Sequence, residues 1–254
     1  MNQEQIAQAA RIISAARYAV ALTGAGISRP SGIPDFRSAG GLWAQEDPLE
    51  VASFNTFRTN PERFFNWLRP LLQVSLAARP NPAHLALAEL EQKGILHAVI
   101  TQNIDGLHQR AGSRAVYELH GHMRSATCTR CERQIEADRL VEQVLMGIMP
   151  RCDCGQHGML KPDIVLFDEI LPIVPFQRAQ QALATCDVLL IVGTSLEVYP
   201  VAHLPLTALQ HGARLVIINL DATYVDGYAD VSIHADVATV LPAILNHADF
   251  RHYE

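Results

Sequence analysis

A chain of 254 residues with 49% hydrophobic side chains carries enough apolar mass for one large domain, or one domain with a smaller insert. The net charge of −6 leaves no basic excess to meet nucleic-acid phosphates, so direct nucleic-acid binding is not expected. No stretch approaches 18 uninterrupted apolar residues, and the start, MNQEQIAQAARIISAARY, lacks a basic cap before an apolar run. Neither a membrane partner nor a secretory leader is therefore expected, and a cytoplasmic location is.

In chain order, Ile6, Ala9, Ala10 and Ile13 repeat at helical spacing and lead into an apolar strand over Ala19–Thr23. The strand delivers GAGISRPSGIPDFR, Gly24 to Arg37. A glycine turn after a buried strand can cradle a phosphate or simply turn the chain, and both readings stay open for Gly24, Ala25 and Gly26. The dinucleotide fingerprint wants a third glycine where Arg29 stands, so G-x-G-x-x-G is not matched. The rest of the stretch is less ordinary: Ser31, Gly32, Pro34, Asp35, Phe36 and Arg37 crowd small, rigid, acidic, aromatic and basic groups together, a set suited to touching a ligand at several points.

From Ser38 to Pro80 the pattern loosens, with Trp43, Phe54, Phe57, Phe64, Phe65 and Trp67 in short helical stretches bounded by Pro48, Pro61 and Pro70. These rings form the cluster of a helical insertion or fill the main core. Asn81-Pro82 starts a helix that buries Ala83, Ala86, Leu87 and Leu90 and stops at Gly94. The strand Leu96–Thr101 then runs into Gln102, Asn103, Ile104, Asp105 and Gly106, and a strand over Ala115–Leu119 ends at His120-Gly121. Thr127 to Leu160 is a compositional break that reads as a small inserted module.

Beyond it, Ile164–Phe167 reads as a strand or extended edge, Phe176–Ala184 as a helix, and Val188–Val192 as a strand ending in Gly193-Thr194-Ser195. A helix over Val201–Gln210, a strand over Leu215–Ile218 ending in Asn219-Leu220-Asp221, and a helix over Val237–Asn246 close the chain. Strands that are apolar throughout and alternate with helices predict an α/β fold, a parallel sheet with helices on both faces. The polar strand ends then share one edge, where such sheets bind ligands.

Four of the five cysteines fall in two pairs, Cys128-Thr-Arg-Cys131 and Cys152-Asp-Cys154, 20 residues apart. Two chelating pairs close a thiolate tetrahedron around one zinc, a closed and therefore structural site. The second pair has one intervening residue where two are usual, which demands a tight bend that Gly155 can supply; His157 is an alternative to Cys154 as fourth ligand. Cys186, alone before a strand, reads as a buried small hydrophobe.

Together, GAGISRPSGIPDFR, TQNIDGLHQRAG (Thr101–Gly112), ELHG (Glu118–Gly121), the paired cysteines, KPDIVLFDE (Lys161–Glu169) and GTSLEVYP (Gly193–Pro200) resemble the sirtuin family of NAD-dependent protein lysine deacylases. The resemblance implies a Rossmann-like large domain built from residues 1–37, 82–120 and 161–254, and a small domain made of a helical module, 38–81, and a zinc-binding module, 121–160. It implies NAD as a consumed co-substrate, one structural zinc on Cys128, Cys131, Cys152 and Cys154, and an acyl-lysine protein or peptide as substrate.

Carried over by position, Gly24, Ala25 and Gly26 approach the pyrophosphate, and Asp35, Phe36 and Arg37 close over the nicotinamide ribose. Gln102 holds that ribose, Asp105 orders the nicotinamide end through its carboxamide and Asn103 through a bound water or the ribose, Ile104 is a further cofactor-binding position, and Asn103 is also assigned to catalysis. Gly193, Thr194 and Ser195 take the phosphate and adenosine side, Asn219, Leu220 and Asp221 the adenosine ribose, and Val237 the adenine. His120 matches the catalytic base; His84 is left as packing or capping, and His108 and His122 have no assigned chemistry.

The substrate strand is expected between Val165, Phe167 and Glu169 on one side and Glu197 and Val198 on the other, adding to both edges. Asp168 stands where the family usually has glycine, which adds a carboxylate beside the substrate and predicts a preference for basic flanking residues. Leu68 and Leu71 align with the Tyr and Arg of members that take acidic acyl groups, so acetyl or a longer apolar acyl is expected. An NAD-dependent dehydrogenase with structural zinc would leave Asn103, Asp105 and His120 without a shared role, an ADP-ribosyltransferase would use the same nicotinamide cleavage on another acceptor, and a zinc interaction module would explain only Cys128 to Cys154.

Overall fold

The side chain of Asn2 accepts the Glu4 amide at 3.0 Å and so starts α1 (Gln3–Ser14), which buries Ile6, Ala9, Ala10, Ile12 and Ile13. The computed structural model describes residues 2–35, 47–156 and 158–247. β1 (Ala19–Thr23) follows, then the short helices α2 (Pro48–Val51) and α3 (Phe54–Thr59), the long α4 (Pro61–Ala77) and α5 (Pro82–Gln92). β2 (Leu96–Thr101), α6 (Leu107–Ala111) and β3 (Val116–Glu118) complete the first half of the large sheet. β4 (Gly121–Cys128), β5 (Gln134–Glu136), α7 (Asp138–Leu145) and β6 (Leu160–Ile164) form the insert. α8 (Ile173–Thr185), β7 (Val188–Val192), α9 (Leu204–Gln210), β8 (Arg214–Asn219), β9 (Val231–His234) and α10 (Val237–His247) return to the sheet.

The large sheet has six strands in the order β3-β2-β1-β7-β8-β9, all pairs parallel. It is Rossmann-like: the chain builds outward from β1 through β2 to β3, then crosses back to β7 on the other side. Every residue of β1 and β7 is buried, and the two-residue period of a strand sorts them to opposite faces. Ala19 and Ala21 pack with Leu190, Val216 and helices α1, α5 and α10. Val20 and Leu22 pack with Leu189, Ile191, Leu215 and the helices α8 and α9.

The smaller sheet is antiparallel, β5-β4-β6, and does not have a core to itself. Its Ala126, Leu160 and Ile164 share one apolar cluster with Phe57, Phe64, Phe65, Leu68 and Leu72 of α3 and α4 and with Leu140 and Val144 of α7. The phenylalanines meet edge to face, with Phe57–Phe64 centroids 5.4 Å apart. The aromatic rings of the helical insertion thus cover the cysteine-bearing insert rather than the main sheet.

Several boundaries differ from those expected of the sequence. Pro70, expected to bound a helix, lies inside α4 on its exposed side; burial of Phe64, Phe65, Leu68 and Leu72 outweighs the ~3 kcal/mol that an interior proline costs. The strand expected over Ile164–Phe167 is instead Leu160–Ile164, because its partner is β4, and Val165–Phe167 continues beyond it. α8 begins at Ile173, three residues earlier than expected, with Pro175 tolerated in its first turn. The edge strand β9 and the small sheet are not evident in the sequence, the former because only Val231 and Ile233 of its four residues are buried.

Candidate active site

β1 and β7 are neighbours whose chains depart in opposite directions, so their carboxyl ends form the topological switch point of the sheet. Both strands are followed by glycine, Gly24 after β1 and Gly193 after β7, because the two loops cross there. A Cβ on Gly26 would lie 2.8 Å from the Gly193 Cα, and one on Gly24 2.8 Å from the Thr194 Cβ, closer than side chains allow. The Gly26 amide donates to the Gly193 carbonyl at 2.8 Å and the Gly24 amide to Val192 at 3.4 Å. Both N–H groups are thus spent inside the fold, and the glycines serve close approach of backbone to backbone at the switch point, where sheets of this kind bind ligands.

Ser28, absent from the sequence candidates, gathers the polar residues below this crossing. It is buried; its hydroxyl donates to Asp105 Oδ2 at 2.7 Å and accepts from Asn103 Nδ2 at 3.1 Å. The same Asn103 nitrogen donates to the Gly24 carbonyl at 3.0 Å. Asp105 Oδ1 accepts the Leu107 amide at 2.9 Å, and burial raises the carboxyl's pKa against the opposing pull of that amide. Asn103 and Asp105 therefore converge on the turn after β1, and a serine one residue beyond the 3-10 turn of Ala25–Ile27 was the available signal.

Beneath them runs a second polar chain. The Asn103 amide donates to Thr101 Oγ1 at 3.1 Å, Thr23 Oγ1 donates to the same atom at 2.8 Å, and Thr23 Oγ1 lies 3.0 Å from His108 Nε2. The His108 ring stands 4.9 Å from that of His84, which accepts the Asn81 amide in a capping box at the start of α5. Burial lowers the pKa of His84 to about 4 and of His108 to about 3, the latter also because His84 is near. Both are neutral packing groups at pH 7.

His120 follows β3. Its Nδ1 is 3.0 Å from the Gln102 carbonyl, an acceptor only, so Nδ1 carries the hydrogen and Nε2 presents the lone pair. Burial lowers its pKa, with the Gln102 contact opposing, so the ring is neutral near pH 7. Gln102 in turn donates from Nε2 to Thr194 Oγ1 at 2.9 Å, which ties the histidine to the second glycine loop. The His120 carbonyl accepts the Val165 amide at 2.9 Å, so the candidate base and the candidate substrate edge share a hydrogen bond.

That edge is fixed on several sides. Phe167 donates to the Ala52 carbonyl at 3.0 Å and accepts the Phe54 amide at 2.9 Å. The Glu169 carboxylate accepts the Leu166 amide at 2.9 Å and pairs with Lys161 at 2.9 Å, so this side chain shapes the loop. Asp168, between them, is exposed at φ 72°, the left-handed region where glycine is the unstrained choice. On the opposite segment, Glu197 is exposed and Val198 half-buried, with the Val198 carbonyl accepting the Ala202 amide at 2.8 Å. Ser195 is exposed beside the buried Thr194.

The remaining sequence candidates lie further out. Asn219, at the end of β8, donates to the Asp221 carbonyl at 2.8 Å, and Leu220 between them is half exposed. Val237 opens α10 and is buried. Ile104 is half-buried against the cluster of the small sheet, and Asp35 pairs with Arg29 at 3.1 Å. Phe36, Arg37, Trp43 and His157 lie outside the described residues.

The four paired cysteines meet. Their sulfurs all lie within 4.8 Å of one another, with Cys128–Cys154 and Cys131–Cys152 each at 3.9 Å. A zinc with four bonds of about 2.3 Å sets sulfur–sulfur edges of about 3.8 Å, so this donor set fits a closed tetrahedral site. Cys154 completes it, and Gly155 at φ 73° makes the bend that the short second pair requires. Cys186 is buried elsewhere, its thiol pushed up to about 12 by burial and Asp187.

Switch-point crevice, buried polar cluster and thiolate module together define a Rossmann-like dinucleotide-binding protein with a structural metal insert. The model of the Sir2 family matches residues 24–200, and the chain belongs to that family. An "NAD-dependent protein deacylase 2" of Archaeoglobus fulgidus is 46% identical over 96% of each chain. An "NAD-dependent protein deacetylase" of Caldivirga maquilingensis is 48% identical over 94% of this chain and 92% of its own. A solved structure of Sir2Tm bound to a propionylated peptide superimposes with a TM-score of 0.84 at 38% identity, covering 93% of this chain and 95% of that one.

Proposed function

We propose that the chain is an NAD-dependent protein-lysine deacetylase, with His120 as its base. The observation that carries the role of His120 is its fixed tautomer: Nδ1–H is held by the Gln102 carbonyl, and Gln102 is held by Thr194 at the glycine crossing. The names of the relatives and their near full-length match support the activity. NAD, when bound, would supply an electrophilic ribose carbon with nicotinamide as the leaving group, and the substrate's acyl oxygen would be the nucleophile that bonds to that carbon.

The chain's own groups then divide the work. Gly24, Ala25 and Gly26 with Gly193, Thr194 and Ser195 shape the phosphate crevice; Asn219, Leu220, Asp221 and Val237 take the adenosine end. Asn103 and Asp105, locked through Ser28, orient the nicotinamide end together with Ile104, and Asp35, Phe36 and Arg37 close over the ribose. His120 accepts a ribose hydroxyl proton at Nε2. Burial keeps it neutral at working pH, which general-base action requires.

The acyl-lysine peptide lies as an added strand between Val165, Phe167 and Glu169 and Glu197 and Val198. Pinning of Val165 to His120 sets the distance between substrate edge and base. Leu68 is buried and Leu71 half-buried, and neither offers a cation to pair an acidic acyl group, which favours acetyl or a longer apolar acyl. Zinc on the four cysteines holds the small sheet and takes no part in the chemistry.

In this reading residues 1–37, 82–120 and 161–254 form the NAD-binding domain, and 38–81 and 121–160 the small one. No described helix is long and apolar enough to cross a membrane, and the net charge of −6 favours a protein substrate over nucleic acid. We place the enzyme in the cytoplasm.

The test mixes protein, NAD and an acetyl-lysine peptide and follows nicotinamide and peptide mass. Acyl loss with nicotinamide release is expected only when both substrates are present. ADP-ribose on the protein acceptor, or the absorbance of reduced cofactor, would instead identify transfer or hydride chemistry.

A further inference from the structure

We infer that Asp168 selects substrates that carry a lysine or arginine within two residues of the acyl-lysine; this rests on the substrate edge proposed above. Asp168 sits between Phe167 and Glu169, and both neighbours are fixed. Phe167 is bonded through its amide and its carbonyl to Ala52 and Phe54, and Glu169 is held by Lys161 and the Leu166 amide. The loop therefore cannot swing its middle residue away from a bound strand.

Asp168 is exposed, and among the described residues its carboxylate has neither a hydrogen bond nor an ion pair. Lys161, the nearest cation in sequence, is already committed to Glu169. The backbone at φ 72° favours glycine, so the loop geometry itself has no need of a carboxylate here. An extended peptide laid along residues 165–169 alternates its side chains, and those flanking the acyl-lysine pass over this position. A cationic flank gains attraction and an acidic flank meets repulsion, both only partly screened at short range.

The experiment compares four sets of three acetyl-lysine peptides, the three in each set identical except for arginine, alanine or glutamate at one of the positions −2, −1, +1 and +2. Peptide affinity by fluorescence anisotropy is measured beside kcat/KM. At least one position should favour arginine over glutamate by about three- to tenfold at 50 mM salt, shrinking towards unity at 0.5 M. Asp168→Asn, which removes the charge while tolerating left-handed backbone, should reduce that ratio to about one to twofold. Asp168→Gly should do the same.

Equal affinity and rate for arginine and glutamate peptides at all four positions, with turnover intact, would overturn this inference and leave the proposed function standing. A preference that survives Asp168→Asn would also overturn it. Binding with the expected preference but no deacetylation of any peptide would support the selection and overturn the proposed function. No peptide binding at all would overturn both.

Discussion

The large and small sheets reach stability by different means. In the large one, β1 and β7 are buried along their whole length between two layers of helices, and each strand holds its place through apolar contacts on both faces. In the small one, three strands lean on the aromatic helices at one side and on four cysteine sulfurs at the other. Apolar burial is cumulative and tolerant of single losses; a metal site is all-or-none. The first therefore suits the scaffold that fixes the switch point, and the second a short insert with too little apolar mass of its own.

Removing the metal should separate the two sheets most clearly. Structural zinc sites in small peptides contribute about 10 kcal/mol or more, so chelation or Cys152→Ala should expose the amides of β4, β5 and β6 to rapid hydrogen exchange. The amides of β1 and β7 should stay protected. Simultaneous loss of protection in both sheets would show that they are one cooperative unit.

At the site, His120→Ala should lower kcat by about 10²- to 10⁴-fold while the zinc content and thermal midpoint stay close to wild type. A fall in midpoint of many degrees would instead make His120 a packing residue. The acid limb of kcat/KM should lie below the ordinary histidine value of 6.5, since burial lowers this pKa and the neutral ring is the active form. A limb above pH 7 would contradict that assignment.

In the scaffold, Leu22→Ala should cost about 2–5 kcal/mol of unfolding free energy with the zinc retained. His84 and His108 add a pH dependence there. Their folded pKa values of about 4 and about 3 lie below the ordinary 6.5, so the unfolded chain takes up protons that the folded chain refuses. Their contribution is complete above pH 6.5 and is lost progressively as pH falls towards 4 and then 3, on the order of a few kcal/mol each. Denaturation midpoints that do not change between pH 7 and 5 would rule this out, and His108→Asn should flatten the slope.

The smallest effect expected on stability is that of Asn81→Ala, about 1–3 kcal/mol, from loss of the cap and of the buried side chain's other hydrogen bonds. Its side chain also donates to the Ile27 carbonyl at 2.8 Å and to Ser31 at 2.9 Å, so a loss confined to α5 would show that the loop after β1 stands without it.

The large sheet, apart from its edge strand β9, was legible because its strands are short, apolar and followed by polar turns, and the cysteine spacing announced the metal insert. The small sheet was not: Gly121–Cys128 alternates too weakly, and its partner Leu160–Ile164 contains Lys161, Pro162 and Asp163. Asn103, Asp105 and His120 stood out as polar residues at strand ends. Ser28, Thr101 and His108 did not, because their meaning lies in contacts between segments more than 70 residues apart, such as Ser28 with Asp105. Gly24 and Gly26 stood out as a glycine turn, but the room they make for the second loop did not, because Gly193 and Thr194 lie far along the chain.

The decisive measurement is the ratio of nicotinamide released to lysine freed when the protein turns over an acetyl-lysine peptide with NAD. A ratio of one, with acyl loss falling by about 10²-fold or more in His120→Ala, is the predicted result. Nicotinamide release that proceeds without freed lysine, or acyl loss that ignores the His120 substitution, would contradict it.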